Sequence, residues 1–344
     1  MRARTAEKKR VSIVDVAREA GVSAATVSRV IHEKPVVDAK VRDRVKKVLE
    51  EMNYRPHYAA RYLSKGRTGY IAVATPRGSQ HLFSNPYITR VLEGIGKVLD
   101  ETSLQLILCT TPVQFKRLMD AHTVDGILLL GVEMNDSYLD DLEKSDIPVV
   151  VIGGYKQETH FSVFTPDYAG AVRMGVEHLA DLGHQRIGFI CGPPNRYKWR
   201  LNQTTFEETA RRLKIEEVGS IVAPDYEEET AFHCLSRLIE QGARLPTAYI
   251  STSDILAIGL MKAAQEHNLS VPEDLSVVSY GDIPGAATAQ PPLTTVGGDF
   301  VEIGAAATRM VIDMIEGELK EPVSSMIDLH LVLRKSTAPP SNRD

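Results

Sequence analysis

Residues 12–31 read Ser12-Ile-Val-Asp-Val-Ala-Arg-Glu-Ala-Gly-Val-Ser-Ala-Ala-Thr-Val-Ser-Arg-Val-Ile31 and predict two short helices joined by a tight turn. Ser12 is placed to cap the first helix, with the Asp15 carboxylate close to the positive end of the helix dipole. Gly21 accepts the left-handed conformation that ends a helix, and Ser23 can cap the second helix. Apolar residues recur at helical spacing along one face of each helix. This pattern is typical of a helix-turn-helix.

The outward face of the second helix carries small groups and one cation: Ala24, Ala25, Thr26, Ser28 and Arg29. Short hydrogen-bonding groups beside an arginine suit base edges and phosphates in the major groove of DNA. The alternative is a plain helical hairpin with a solvated face. A third helix, capped by Asp38 and closed by Asn53, would complete a headpiece of roughly 50 residues, a size that can fold alone.

The distribution of charge supports a DNA-binding helix-turn-helix over a plain helical hairpin. The net charge of the 344-residue chain is −5, but residues 1–66 hold 16 Lys and Arg against 8 Asp and Glu. This segment therefore carries +8 and the remainder −13. A basic segment can neutralise phosphates while an acidic body is repelled by them, so binding to DNA would be oriented as well as attractive.

After residue 69 the pattern changes to short apolar runs that alternate with helical stretches. Fully apolar strands in such alternation predict parallel sheets covered by helices on both faces, and the segment is long enough for two α/β lobes with a cleft between them. Ligands of such sheets lie at the carboxyl ends of the strands. The predicted strands cover residues 71–74, 104–109, 126–130, 149–152, 187–190, 248–250 and 276–280.

Several function classes lack their sequence signatures. Gly94 and Gly96 lie inside a helical pattern without the third glycine of a dinucleotide loop, and no Walker loop, Gly-x-Ser-x-Gly or His-Glu-x-x-His occurs. We therefore predict neither an enzyme nor a metal or other cofactor, and expect His178 and His184 to make structural hydrogen bonds. The sequence predicts no membrane span and no signal peptide, and three widely spaced cysteines predict reduced thiols in a cytoplasmic protein.

A set of short motifs in a fixed order runs through nearly the whole chain. In the N-terminal part they are Asp15-Val-Ala17, Gly21-Val-Ser23, Thr26-Val-Ser-Arg29, Asn53-Tyr54, Pro56 and Leu63. In the body they include Asp125-Gly126, His178-Leu179, Gly183-His184, Pro246-Thr-Ala248, Asp254, Val271-Pro-Glu-Asp-Leu-Ser276, Pro291-Pro-Leu-Thr-Thr295 and Arg334-Lys-Ser-Thr337. Together these motifs resemble the lactose-repressor (LacI) family of bacterial transcription regulators.

The resemblance implies a homodimer that reads a pseudo-palindromic operator in double-stranded DNA, with a periplasmic-binding-protein-like core that senses a small molecule, a sugar or related metabolite. It implies an all-α helix-turn-helix headpiece at residues 1–53, a hinge helix and linker at 54–68, and an α/β core of two parallel-sheet lobes at 69–344. The first lobe would comprise about 69–165 and 298–325, and the second about 166–297 and 326–338. Family tetramers use an extra C-terminal leucine-heptad helix, which Pro339-Pro340 cannot continue, so we expect a dimer.

The matching motifs also assign residues. The implied readers of DNA are Ser12, Ala24, Ala25, Thr26, Ser28, Arg29, His32, Tyr54, His57, Ala60 and Leu63. Leu63 would act as an apolar wedge in the minor groove, or alternatively pack against the body. The implied effector residues are Arg77, Phe83, Asn85, Tyr87, Asp167, Arg196, Trp199, Asn202, Asp254 and Phe300. For these the alternatives are aromatic side chains in the core and a solvated loop at Arg196.

The effector positions depart from the family pattern. Asn202 and Thr205 replace an Arg and a Gly, Ser253 replaces an Asn, and Gly281 replaces an Asp. Gly153 replaces an Asp that some members use at a strand end. These replacements remove several of the charged and polar side chains that would hold a polyol or a carboxylate. An alternative therefore stays open, in which the regulator answers to a protein partner or has no small-molecule effector.

Overall fold

The computed structural model describes residues 11–31, 36–54, 66–155 and 159–341. The chain divides into two compact units, Met1–Gly69 and Tyr70–Asp344. None of the helices in these ranges combines the length and apolar character that crossing a bilayer requires.

The first unit contains three helices around a small apolar core, α1 (Ile13–Glu19), α2 (Ala24–Ile31) and α3 (Ala39–Glu51). The predicted capping box is confirmed, because the Asp15 amide donates to Ser12 Oγ while the Asp15 carboxylate accepts from the Ser12 amide. Gly21 has φ +63°, the left-handed geometry expected for the turn. The buried core is made of small and β-branched side chains: Val16, Ala17, Ala20, Val27, Val30, Val45 and Val48.

The second unit contains two sheets. The first is built from β1 (Tyr70–Ala74), β2 (Gln105–Cys109), β3 (Gly126–Leu130), β4 (Val149–Ile152), β5 (Ser162–Pro166) and β12 (Ser324–Ile327). The strand order is β12-β5-β4-β3-β1-β2, and every neighbouring pair is parallel. Its helices are α4 (Ser79–Ser84), α5 (Pro86–Asp100), α6 (Pro112–Asp120), α7 (Leu139–Glu143) and α13 (Phe300–Glu316).

The second sheet is built from β6 (Arg186–Cys191), β7 (Glu216–Glu217), β8 (Ile221–Val222), β9 (Ala248–Ser251), β10 (Ser276–Tyr280), β11 (Thr294–Gly297) and β13 (His330–Val332). Its order is β13-β11-β10-β9-β6-β7, with β8 also paired to β6, and the β11–β13 pair is antiparallel. Its helices are α8 (Tyr168–Asp181), α9 (Tyr197–Leu213), α10 (Glu228–Glu240), α11 (Asp254–Glu266) and α12 (Pro284–Thr288).

Both sheets have apolar helices on each face, which produces the two-lobed α/β architecture expected from the sequence. The chain passes between the lobes three times, after β5, after β11 and after β12. Because β12 ends at Ile327, the last crossing follows that residue rather than residue 325.

All seven predicted strands are present, but β5, β7, β8, β11, β12 and β13 were not predicted. These strands lack a continuous apolar run, and β12 alternates between exposed and half-buried residues at the edge of its sheet. Their pairing therefore depends on distant partners. Helix α9 begins at Tyr197, directly after Arg196, whose backbone bridges to Glu133 in the first lobe.

The two histidines predicted to be structural are confirmed in that role. His178 Nε2 lies 3.0 Å from Thr337 Oγ1, and His184 bridges Thr247 Oγ1 and the Ala338 carbonyl at 2.9 Å each. Burial lowers the pKa of both rings. They therefore fasten the C-terminal segment to the second lobe as neutral hydrogen-bonding groups.

Candidate functional site

A cavity of about 120 Å³ lies between the two lobes of the second unit. It is bounded by the residues that follow the carboxyl ends of β3, β4, β9 and β10, where parallel sheets place their ligands. Its lining from the first lobe includes Asn85, Tyr87, Gly131, Val132, Gly153 and Gly154. From the second lobe it includes Tyr168, Arg196, Tyr197, Lys198, Tyr226, Thr252, Ser253, Asp254, Tyr280 and Gly281.

Aromatic rings form much of the cavity wall. Tyr168 and Tyr280 meet edge to face with their ring centroids 5.7 Å apart, and Tyr87 meets Phe300 in the same way at 5.1 Å. Burial raises the pKa of each of these three phenols, so they are neutral at physiological pH. The buried hydroxyls of Tyr280 and Thr252 have no hydrogen-bond partner among the described residues. The wall therefore presents mainly aromatic rings, with these two hydroxyls buried and unpaired within it.

Lys198 extends its ammonium group into this aromatic surface. Its Nζ lies 5.0 Å from the ring centroid of Tyr168 and 5.0 Å from that of Tyr226. Gly154 makes room for the side chain, since a Cβ added there would lie 3.1 Å from Lys198 Cβ. Burial, and to a smaller degree the nearby Arg196, lowers the pKa of Lys198 to about 8.

Arg196 lies beside Lys198, but its charge is already matched. Its Nη2 is 3.3 Å from Glu133 Oε1 in the first lobe, and its Nη1 donates to the Gly131 carbonyl. Glu133 Oε2 also pairs with Arg77 Nη1 at 3.4 Å, and Arg77 pairs with Asp136. Arg77, Glu133, Asp136 and Arg196 thus form a charge-balanced network, the interlobe network, that joins the two lobes at one edge of the cavity.

Asp254 borders the cavity, but its carboxylate is fully engaged inside the second lobe. Its Oδ1 accepts from Thr295 Oγ1 at 2.6 Å and its Oδ2 accepts from the Ile283 amide at 2.9 Å. The residue is only 1% exposed, and burial raises the pKa of its carboxyl. Gly281, at φ +142°, permits this arrangement, because a Cβ there would lie 3.0 Å from Asp254 Oδ2.

The helix-turn-helix presents an outward face built on α2. Ala25 and Arg29 are exposed, Ala24, Thr26 and Ser28 are half-buried, and Val27 and Val30 point into the core. Thr26 Oγ1 lies 2.9 Å from Ser23 Oγ, and the Thr26 amide donates to the same oxygen, which fixes the start of the helix.

Comparison with known proteins gives a consistent result over both units. Residues 12–57 match the domain described as bacterial regulatory proteins, lacI family, and residues 176–337 match a periplasmic binding protein-like domain. The HTH-type transcriptional regulator DegA of Bacillus subtilis (strain 168) is 31% identical, with 96% of this chain and 99% of DegA covered. The chain belongs to the LacI family.

Two solved structures extend this likeness to three dimensions. The lac repressor dimer bound to operator and the anti-inducer ONPF has a TM-score of 0.84 at 28% identity and covers 96% of this chain and all of its own. A complex of the transcriptional regulator CelR with cellobiose has a TM-score of 0.73 at 27% identity and covers 95% of this chain and all of its own. The relatives are transcriptional regulators rather than enzymes.

Within this LacI-family chain, the structure separates the predicted effector residues into two groups. Asn85, Tyr87, Arg196 and Asp254 line the cavity. Phe83, on α4, is 63% exposed and is not part of the lining, so the structure does not bring it to the cavity. Phe300 contacts the rings of Tyr87 and Tyr280 but does not itself line the cavity. Its helix, α13, packs with α5 in the core of the first lobe.

The other predicted effector residues also lie outside the main lining. Arg77 is held in the interlobe network, and Asp167 caps α8 by accepting from the Gly170 amide at 2.8 Å. The Trp199 indole donates to Cys191 Sγ at 3.1 Å, on the side of α9 that packs into the second lobe. Asn202 is buried and borders only a small adjoining space of about 10 Å³. Arg77, Asp167 and Trp199 are thus held by contacts within their own lobe, whereas Asn202 keeps a buried amide oxygen with no hydrogen-bond partner among the described residues.

Sequence reasoning missed several cavity residues, among them Tyr168, Lys198 and Tyr226. Two of them were detectable, since Tyr168 follows Asp167 and Lys198 lies between Arg196 and Trp199, which were singled out. Tyr226 follows a two-residue strand with no apolar pattern, so it gave no signal. Of the implied DNA readers, Ser12 is the N-cap of α1, and Ala24 and Tyr54 pack partly against the headpiece core. His32, His57, Ala60 and Leu63 lie outside the described residues.

Proposed function

We propose that this chain is a sequence-specific repressor of transcription that binds a pseudo-palindromic operator as a dimer, in the cytoplasm, and is controlled by a small metabolite. The effector would be a sugar or a related compound bound in the interlobe cavity. The observation that carries the proposal is the aromatic-lined cavity at the carboxyl ends of the strands, in a chain whose other unit is a LacI-family headpiece. The CelR structure contains cellobiose, a sugar, which supports this ligand class.

The proposed headpiece function assigns separate tasks to the reading helix and the hinge. Arg29, exposed on α2, would neutralise a phosphate or contact a base, and Leu63 would wedge into the minor groove at the operator centre. The remaining implied readers, including Ser12, Ala24, Ala25, Thr26, Ser28, His32, Tyr54, His57 and Ala60, would position the protein on the duplex.

This assignment predicts different outcomes for two variants. Selection of bound fragments from random DNA supplies the operator, and affinity is then measured on operator and random DNA at several salt concentrations. Arg29→Ala should lower the salt slope by about one unit if Arg29 holds a phosphate. Leu63→Ala should cost roughly 1–3 kcal/mol on the operator and leave random-DNA binding and its salt slope nearly unchanged.

The matched control is Arg237→Ala, which removes the same charge from an exposed position on α10 in the second unit. It should change neither affinity nor slope. Equal losses on both DNAs for Leu63→Ala would contradict the hinge proposal.

Control by a small molecule is tested by thermal unfolding with a panel of sugars and sugar derivatives. A ligand that binds only the native state raises stability by mass action. A compound that raises the melting temperature should also change operator affinity. If none does, the alternative of a protein coregulator, or of no effector, is favoured.

A further inference from the structure

The cavity contains a second cation, the ammonium group of Lys198, beside the paired guanidinium of Arg196. Lys198 Nζ faces the rings of Tyr168 and Tyr226, and no carboxylate among the described residues is paired with it. Its neighbour Arg196 differs in this respect, because Glu133 is within ion-pair distance of that guanidinium. The interlobe network is neutral as a whole, so it supplies no counter-charge to Lys198.

An ammonium group in such a position is costly for the protein alone. Two ring faces attract a cation, but they do not replace the hydration that burial removes. The lowered pKa of Lys198 reflects this imbalance. An anionic group that entered the cavity would supply the missing charge and a direct hydrogen bond to the ammonium.

We propose that the effector is an acidic, hydroxyl-bearing metabolite whose carboxylate or phosphate binds Lys198 Nζ. The inference rests on the proposed small-molecule control and narrows its ligand class. Thr252, Ser253 and Tyr280 also belong to the cavity lining, so the polar remainder of the ligand would lie against hydroxyl-bearing residues. Tyr168 and Tyr226 flank the ammonium and restrict the direction from which the acid approaches.

The other groups around Lys198 leave it as the one that titrates near neutral pH. The phenols of Tyr87, Tyr168, Tyr226 and Tyr280 stay neutral, because burial raises the pKa of each. Arg196 adds positive charge, and the Asp254 carboxylate is engaged by Thr295 and Ile283. Since an acid binds the ammonium form, its affinity should fall as the pH rises through about 8, the pKa of Lys198 in the free protein. Between pH 7 and pH 9 the expected loss is about tenfold.

The experiment compares matched probes on the full-length protein. Glucose, glucuronate, glucose 6-phosphate and inorganic phosphate are titrated by calorimetry and thermal shift, and the two acids separate a carboxylate from a phosphate ligand. At least one acidic sugar should bind about tenfold or more tightly than glucose, and Lys198→Met should remove that advantage. Lys198→Arg should retain part of it. Lys320→Met, at an exposed position beyond α13, is the control and should change nothing.

The outcomes distinguish the acidic ligand class from the proposed control by a small molecule. If glucose binds and changes operator affinity while neither acid binds better, or if Lys198→Met leaves the acids' advantage intact, the acidic class is wrong and small-molecule control stands. If no probe binds the folded protein or changes operator affinity, both are wrong. Circular dichroism melts of Lys198→Met confirm that a lost response is not lost folding.

Discussion

At the scale of single residues, Asp254 shows that lining a cavity does not by itself indicate a role in binding. The sequence suggested that Asp254 contacts the effector, and the residue does border the cavity. Both of its carboxylate oxygens nevertheless accept hydrogen bonds from within the second lobe, one from a side chain and one from a backbone amide. The same carboxylate lies in the first turn of α11. Its environment is therefore that of a residue that connects α11 to β11 and to the loop after β10.

We predict that Asp254→Ala destabilises the protein. The substitution leaves the Ile283 amide and the Thr295 hydroxyl without their acceptor in a buried place, at a cost of about 2–4 kcal/mol in the free energy of unfolding. Urea denaturation measures this loss. Ser253→Ala, one residue earlier, removes a side chain that makes no capping hydrogen bond, and should change stability by less than about 0.5 kcal/mol. A stable Asp254→Ala variant that no longer responds to effector would restore the original interpretation.

At the scale of elements, β2 stands out because it is an edge strand with an apolar outer face. Leu106 and Leu108 point to the same side of the strand and are 38% and 39% exposed. Val113, at the start of the following helix α6, is 61% exposed. An exposed apolar edge is open to pairing with another chain, so natural proteins usually cover it. In the proposed dimer, a second copy of this chain would cover this apolar surface.

We predict that Leu108→Glu converts the dimer to a monomer. A charge placed in an apolar interface loses its hydration without gaining a partner, which weakens association by several kcal/mol. Sedimentation at micromolar concentration measures the mass directly. Leu333→Glu is the control, because Leu333 is 65% exposed after β13 in the other sheet and should leave the mass unchanged. A dimeric mass for Leu108→Glu would place the interface elsewhere.

At the scale of the whole second unit, the interlobe network joins the two lobes beside the cavity. Glu133 alone contacts two arginines, Arg77 from its own lobe and Arg196 from the other. These side chains are largely buried, so screening by salt is weaker than for a surface pair. The network therefore favours the arrangement in which the lobes enclose the cavity.

We predict that Glu133→Gln loosens this arrangement. The loss of charge leaves Arg196 without its carboxylate partner and should lower the free energy of unfolding by about 1–3 kcal/mol. Small-angle X-ray scattering should show a larger radius of gyration for the free protein. Glu93→Gln removes an equally charged residue from exposed pairs with Arg90 and Lys97, and it should change neither the stability appreciably nor the radius. An unchanged radius for Glu133→Gln would mean that other contacts hold the lobes together.

The sequence by itself determined the headpiece and the architecture of the second unit. The capping box at Ser12, the turn at Gly21 and the periodic valines act over three to seven residues, so they are visible before folding. The seven apolar strands are visible for the same reason, since a short run of consecutive apolar residues is itself a local signal. Motifs spread along the chain then indicated the LacI family, and through it a role in transcription regulation.

Only the tertiary structure decided which side chains line the cavity. Tyr87, Tyr168, Lys198, Tyr226 and Tyr280 come from separate elements, and their meeting depends on two sheets that pack independently and then enclose a common space. Local rules cannot tell that Trp199 bonds to Cys191 inside its own lobe, or that Gly154 leaves room for Lys198. Whether a polar group is free or used is a balance of long-range hydrogen bonds and burial, and that balance exists only after the chain has folded.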